Sequence, residues 1–206
     1  MAAIPYPACM LQEIERVLIG RDEIAERVGE MAERLAADLR RDLEAEGSSA
    51  REHRVVLVPI MTGSIVFVAD LIRRLPMKLS MGLVTVSSYA GETMESKGAH
   101  LRGELPGGLE GKHVVLVDDI LDSGNTLYLV RSLVQERSPA SVRVVVLLDK
   151  KERRVMPIEP DYAGFEIPDE FVVGYGLDYN GYYRNLPDIA TLNPDVAFGG
   201  SGGASG

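Results

Sequence analysis

An α/β fold, a mostly parallel twisted sheet flanked by helices, is what the hydrophobic pattern of this chain predicts. Three observations carry that expectation. Runs that are apolar at nearly every position recur at residues 55–59, 114–117 and 142–148, as strands covered on both faces require. Stretches with apolar residues at three- and four-residue steps separate them, which is helical spacing. The chain has 206 residues and is 46% hydrophobic, enough to bury a full core.

The elements follow in order. Residues 21–46 form an amphipathic helix with Ile24, Val28, Met31, Leu35, Leu39 and Leu43 on one face and charged residues on the other. Gly47-Ser48-Ser49 ends it. A buried strand at 55–59 leads to a helix at 64–75 that Pro76 stops, and a second strand follows at 82–87. The stretch 89–109 is polar, glycine-rich and aperiodic, and a structureless loop of that length is usually a lid or disordered. A third strand at 114–117 precedes a helix whose apolar face carries Leu127, Val130, Leu133 and Val134. Ser138-Pro139 closes that helix, and 142–148 is the fourth strand. Residues 199–206, GGSGGASG, read as a flexible tail outside the fold.

Composition narrows the function classes. A formal charge of −9 argues against general nucleic-acid binding, which favours a basic surface. No apolar run reaches membrane-spanning length. The opening MAAIPYPACML lacks a basic patch followed by an apolar stretch, so no secretory signal is expected. The single cysteine, Cys9, cannot form an internal disulfide, and no Cys/His cluster suggests zinc. Together these point to the cytoplasm.

The chemistry concentrates at residues 114–126, VVLVDDILDSGNT. Asp118 and Asp119 are expected at the carboxyl end of an apolar strand, where α/β sheets gather ligands. Ser123, Gly124, Asn125 and Thr126 then open a helix, whose unpaired N–H groups and dipole favour an anion. A plain N-capped helix, with Asp122 or Ser123 as the cap, is the bland alternative. Two adjacent acids shift the balance, because they repel unless a metal, hydroxyls or cations accompany them.

This segment resembles the motif by which type I phosphoribosyltransferases bind phosphoribosyl pyrophosphate (PRPP): an apolar strand, two acids, two apolar residues, then an acid before a small-Gly-x-Thr turn. The Walker phosphate loop and the dinucleotide glycine fingerprint are both absent. Residues 147–151, LLDKK, and 164–180, GFEIPDEFVVGYGLDYN, are similar to the hypoxanthine-guanine phosphoribosyltransferases, the bacterial hypoxanthine enzymes above all. The resemblance runs from about residue 55 to residue 191, while the first fifty residues match only as a helical lead-in.

The resemblance implies one phosphoribosyltransferase domain over residues 1–198, with a core at about 50–150 and a small hood from 1–50 and 151–198. It implies purine salvage: magnesium-dependent transfer of the phosphoribosyl group from PRPP to N9 of hypoxanthine, and of guanine, giving IMP or GMP and pyrophosphate. Asp118 and Asp119 would hold the ribose hydroxyls directly or through Mg2+, Asp122 would face N7 of the purine, and Ser123, Gly124, Asn125 and Thr126 would bind the 5-phosphate. Lys150 would donate to the 6-oxo group, Phe171 would stack on the ring, and the Val172 backbone would read its edge. Asp178 would support a second Mg2+, and Arg184 would contact pyrophosphate. Met61-Thr62-Gly63-Ser64 corresponds to the pyrophosphate loop, where the family has a non-proline cis peptide, and Ser88-Tyr89 begins the lid. Thr62 departs from the Lys or Arg often found there. Asp118 and Asn125 stand where many relatives have Glu and Lys, and Asn at the latter is a bacterial trait. A homodimer or homotetramer is also implied.

The roles have physical sense. Breaking the bond to pyrophosphate leaves positive charge on the sugar, which a neighbouring carboxylate stabilises. As a positioned general base Asp122 is worth roughly 10²–10⁴-fold in rate. The ammonium of Lys150 donates but cannot accept a hydrogen bond, so it favours a 6-oxopurine over adenine. Residues 90–103 are expected to order only over bound ligand, excluding water from the reactive sugar. The alternatives are a xanthine-preferring transferase and a PRPP-sensing regulator without turnover; retention of Asp122 and the acidic charge argue against the regulator.

Overall fold

The computed structural model describes residues 8–47, 52–88, 99–193 and 196. The chain divides into two compact units, a smaller one from residues 1–24 and 170–206 and a larger one from residues 25–169.

The chain starts with α1 (Ala8–Glu13) and β1 (Ile14–Ile19), then enters the long helix α2 (Arg21–Ala45). The six residues expected on the apolar face of α2, from Ile24 to Leu43, are all buried. The larger unit continues with β2 (Val55–Met61), α3 (Ile65–Ile72), β3 (Leu79–Met81), β4 (Val84–Ser88) and β5 (Ala99–Arg102). It goes on through β6 (His113–Leu121), α4 (Asn125–Gln135), β7 (Ser141–Asp149), a 3-10 turn at Lys151–Arg153 and β8 (Tyr162–Glu166). The smaller unit ends with β9 (Val172–Val173) and β10 (Ile189–Leu192).

The larger unit holds a seven-stranded sheet in the order β5-β4-β2-β6-β7-β8, with β3 also paired to β2. All its pairings are parallel except β4 with β5. This is the mostly parallel α/β sheet that the sequence predicts. Side chains alternate across it. Val56, Val58, Val114, Leu116, Val144 and Val146 cluster with Leu127, Val130 and Val134 of α4. Their odd-numbered neighbours, among them Val55, Leu57, Val115, Val145 and Leu147, are fully buried as well. On that side Leu147 and Met31 of α2 both lie against Gly164.

Strands β1, β3, β8, β9 and β10 are not among those the sequence predicts, and two segments that it does assign differ from expectation. Part of the stretch read as structureless is a strand: β5 pairs antiparallel with β4, from Thr85 opposite Arg102 to Ser88 opposite Ala99. Four residues are too few for a period of two to stand out, yet Leu101 packs on the core beside α4. The strand expected at 114–117 runs on to Leu121, with Asp118 opposite Val146 and Leu121 opposite Asp149. Asp118 and Asp119 are therefore strand residues, kept in register by β7 although their side chains are polar. Residues 89–98, including Tyr89 and most of the expected lid, and the tail 199–206 lie outside the described residues.

The smaller unit is an antiparallel sheet in the order β1-β10-β9. Its core joins Val173, Leu186 and Leu192 to Met10, Ile14, Tyr179 and Tyr183.

Candidate active site

The connections fix where a ligand can sit on the larger unit. From β2 the chain crosses to β4 on one side, and from β6 it crosses to β7 on the other. The carboxyl ends of β2 and β6 therefore flank a topological switch point, where open α/β sheets bind ligands. The Met61–Thr62 peptide there is cis, as the family resemblance implies. Gly63 follows, so close to β6 that a Cβ on it would lie 1.9 Å from Asp119 Oδ2. Only glycine leaves room for that carboxylate. Thr62 is exposed, and buried Ser64 donates its hydroxyl to the Ile60 carbonyl at 2.5 Å.

Asp118 is buried, and its own burial, followed by the Asp119 charge, pushes its carboxyl well above the usual carboxylate range. A divalent cation would reverse both effects, so the pair suits Mg2+. Among the described residues no group of three or more His, Cys, Asp or Glu could hold a metal. A cation at Asp118 and Asp119 would therefore complete its oxygen shell from ligand and water, as magnesium does with one or two carboxylates.

Helix α4 starts without a conventional cap. Its N-cap is Gly124, at φ 86°, with no side-chain hydrogen bond, rather than Asp122 or Ser123. That φ favours glycine, and a Cβ would also stand 2.8 Å from Ile158. Ser123 Oγ instead accepts from the Asn125 side-chain amide at 3.1 Å and is 3.5 Å from its backbone nitrogen. No side-chain cap occupies the start of the helix, which suits an anion there. Asp122 is half-buried, and its Oδ1, shielded from solvent, accepts no hydrogen bond.

The sequence reading missed what holds this loop. Arg154, 11% exposed, donates from Nε to the Asp122 carbonyl at 3.0 Å and from a terminal nitrogen to the Ile158 carbonyl at 2.6 Å. It also reaches the Leu121 carbonyl at 3.3 Å and pairs with the buried Asp149 carboxylate. Val155 and Met156 both donate backbone N–H groups to the Ser123 carbonyl, at 2.9 and 3.0 Å. In sequence Arg154 is one more cation in the run KKERR, and only the position of that run directly after a strand end could have flagged it. Lys150, at the end of β7, is 5% exposed and ties its backbone N–H to the Leu121 carbonyl at 2.9 Å.

The remaining expected residues lie in the smaller unit. Phe171 is 45% exposed and meets Tyr179 edge to face, with ring centroids 5.5 Å apart, which leaves ring surface open for stacking. Val172 is buried in β9 opposite Thr191. Both oxygens of Asp178 are engaged, one by Arg184 at 2.7 Å and one by the Gly181 N–H at 2.7 Å. Arg184 also donates to the Gly176 carbonyl at 2.6 Å. For Asp178 to meet a metal, or Arg184 a pyrophosphate, this pair would have to open. Ser88 ends β4.

Comparison with known proteins gives concordant likenesses. The phosphoribosyl transferase domain family matches residues 21–180. A hypoxanthine-guanine phosphoribosyltransferase of Streptococcus pneumoniae is 42% identical over 184 residues, covering 89% of this chain and 96% of that protein. One from Staphylococcus aureus is 40% identical over 187 residues, covering 91% and 98%. Among solved structures, a Staphylococcus aureus hypoxanthine phosphoribosyltransferase superposes with a TM-score of 0.82 at 38% identity, covering 93% of this chain and 98% of the other. A Trypanosoma cruzi hypoxanthine phosphoribosyltransferase in complex with IMP does so with a TM-score of 0.79 at 36% identity, covering 93% and 89%.

Proposed function

The chain belongs to the hypoxanthine-guanine phosphoribosyltransferases of the phosphoribosyl transferase domain family, and we propose that it moves the phosphoribosyl group of PRPP to N9 of hypoxanthine and of guanine. The products are IMP or GMP and pyrophosphate, and the context is purine salvage. The observation that carries the reading is the unit from β6 to α4. Two adjacent carboxylates close to a glycine-lined turn are followed by a helix start whose cap has no side chain.

In this reading the turn from Ser123 to Thr126 takes the 5-phosphate on backbone amides and hydroxyls, supported by the exposed start of α4. Asp118 and Asp119 hold the ribose hydroxyls and Mg2+. When bound, the metal neutralises charge developing on the pyrophosphate leaving group. Thr62 and Gly63 face the pyrophosphate, Gly63 through its backbone, and Arg184 contacts it once released from Asp178. Asp122 accepts the proton from N7 and offsets the positive charge that builds on the sugar. The Asp122 side chain is 38% exposed, so its carboxylate can meet a ligand, which supports that role. Lys150 donates to the 6-oxo group, Phe171 stacks on the ring, and the Val172 backbone reads its edge. Asp178 supports a second magnesium, and Ser88-Tyr89 begins a lid. A cytoplasmic location belongs to the same reading, supported by a composition with one cysteine; so does assembly as a homodimer or homotetramer. No described helix is long and apolar enough to cross a membrane.

The test is to incubate the protein with PRPP and Mg2+ and, separately, hypoxanthine, guanine, xanthine or adenine, following nucleotide and pyrophosphate. Hypoxanthine and guanine are expected to turn over and adenine to stay unchanged. Turnover of adenine but not hypoxanthine would overturn the role given to Lys150, and PRPP binding with no turnover of any base would favour a sensor.

A further inference from the structure

Two side chains that the reading above leaves idle, Arg153 and Asp169, connect the two it assigns to the purine edge. Lys150 Nζ lies 3.8 Å from Asp169 Oδ1. The same Asp169 oxygen is 3.7 Å from a terminal nitrogen of Arg153. Arg153 Nε is in turn 3.7 Å from Asp122 Oδ1, the shielded oxygen that accepts no hydrogen bond. Asp122, Arg153, Asp169 and Lys150 therefore form one line of alternating charge. Its local origin is the 3-10 turn Lys151–Arg153, for which Lys150 is the N-cap. At three residues per turn, positions 150 and 153 project to the same side.

The lengths of these links are informative. Next in sequence, Lys151 closes on Glu166 at 2.6 Å, a completed hydrogen-bonded ion pair. The three links of the line stay at 3.7–3.8 Å, within Coulomb range but beyond hydrogen-bond length. Charge is balanced along the line, while none of its links uses a Lys150 donor or an Asp122 acceptor in a hydrogen bond. For Lys150 this balance matters, because its side chain is 6% exposed and an ammonium so far from water needs a carboxylate nearby.

We propose that Arg153 and Asp169 are a positioning pair for the purine, resting on the assignment of Asp122 and Lys150 above. Asp169 holds the Lys150 ammonium, and Arg153 holds the Asp122 carboxylate at a set distance from it. A flat ring edge carrying an N–H beside an oxo group then meets both partners at once. Neither member of the pair touches the reacting atoms, so both act through how the base is held rather than through the chemical step.

The test compares Arg153→Met, Arg153→Lys, Asp169→Asn and the double variant Arg153→Met/Asp169→Asn with the wild type, measuring kcat, KM for hypoxanthine, KM for PRPP and Tm. Arg153→Met and Asp169→Asn are each expected to raise KM for hypoxanthine roughly tenfold, the first by releasing the Asp122 carboxylate and the second by releasing the Lys150 ammonium. KM for PRPP should hold within about twofold, since the phosphate loop is braced elsewhere. Arg153→Lys should recover most of the loss by restoring the cation. The double variant should fall short of the product of the singles, because both cut one line of charges. Tm should barely move for Arg153→Met, whose side chain is well exposed, and fall for Asp169→Asn, which leaves the nearly buried Lys150 ammonium without this carboxylate. An unchanged KM for hypoxanthine, an equal rise in both KM values, or an Arg153→Lys variant as impaired as Arg153→Met would overturn the pair. A wild-type protein that makes no nucleotide from hypoxanthine overturns the proposed function itself, a result read before any variant is compared.

Discussion

At residue 63 the absence of a side chain is a requirement of the carboxylate opposite. The backbone of Gly63 approaches Asp119 so closely that a methyl group there would overlap both carboxylate oxygens, at 1.9 and 2.9 Å. The neighbouring Asp118 cannot absorb a displacement, because it is buried in β6 in register with β7. An alanine at 63 must therefore either push Asp119 aside or pull the turn away from β6. Gly63→Ala is expected to lower kcat/KM for PRPP at least about tenfold, since a misplacement of 1 Å at a positioned group costs on that scale. Its far-ultraviolet circular dichroism should match the wild type, because no regular element contains residue 63. Steady-state kinetics at saturating hypoxanthine check this, and an unchanged kcat/KM would mean that Asp119 does not need its present position.

Among the elements, the phosphate loop owes its shape to the segment that follows β7. Arg154 gathers three backbone carbonyls and the Asp149 carboxylate, while Val155 and Met156 add two N–H donors to the Ser123 carbonyl. A guanidinium supplies five donors in a fixed plane, a set that lysine cannot reproduce. Arg154→Met would strand Asp149, which is 3% exposed, without its cation. Leaving one partner of a buried pair uncompensated costs about 3–5 kcal/mol, and urea denaturation should show a loss of that order. Retained PRPP affinity in the folded fraction would show that the loop keeps its shape without the brace. None of this was legible in the sequence, where a buried arginine and a solvated one look alike in KKERR. Asp118 and Asp119 were legible as a pair, yet their place inside β6 was not, because polar side chains interrupt the apolar run that marks the strand.

At the scale of the whole molecule, legibility follows how each unit is built. The larger sheet announced itself because β2, β6 and β7 each carry a run buried on both faces and apolar at every position, residues 55–60, 114–117 and 144–148. The smaller sheet did not, because β9 has two residues, β10 has four, and β1 pairs with β10 through two register shifts. Its strands come from opposite ends of the chain, and no local window carries that pairing. What holds this unit includes an ion pair equally hidden in sequence. Asp188 accepts from the Arg21 backbone N–H at 2.8 Å and from its guanidinium at 3.0 and 2.6 Å, placing a carboxylate at the start of α2. The Arg21 hydrogen bond, more than any other influence, holds the Asp188 carboxyl below its ordinary value of 3.8. A carboxyl whose folded pKa is depressed stabilises the native state fully above its unfolded value and loses that contribution as pH falls through the folded one. Asp188→Asn should therefore lower Tm at neutral pH, and the gap to the wild type should persist down to about pH 4 and close below 3.8. Thermal melts of both proteins across that range decide it: a gap that stays constant into strong acid would mean that Asp188 stabilises the fold through packing, with its charge contributing nothing.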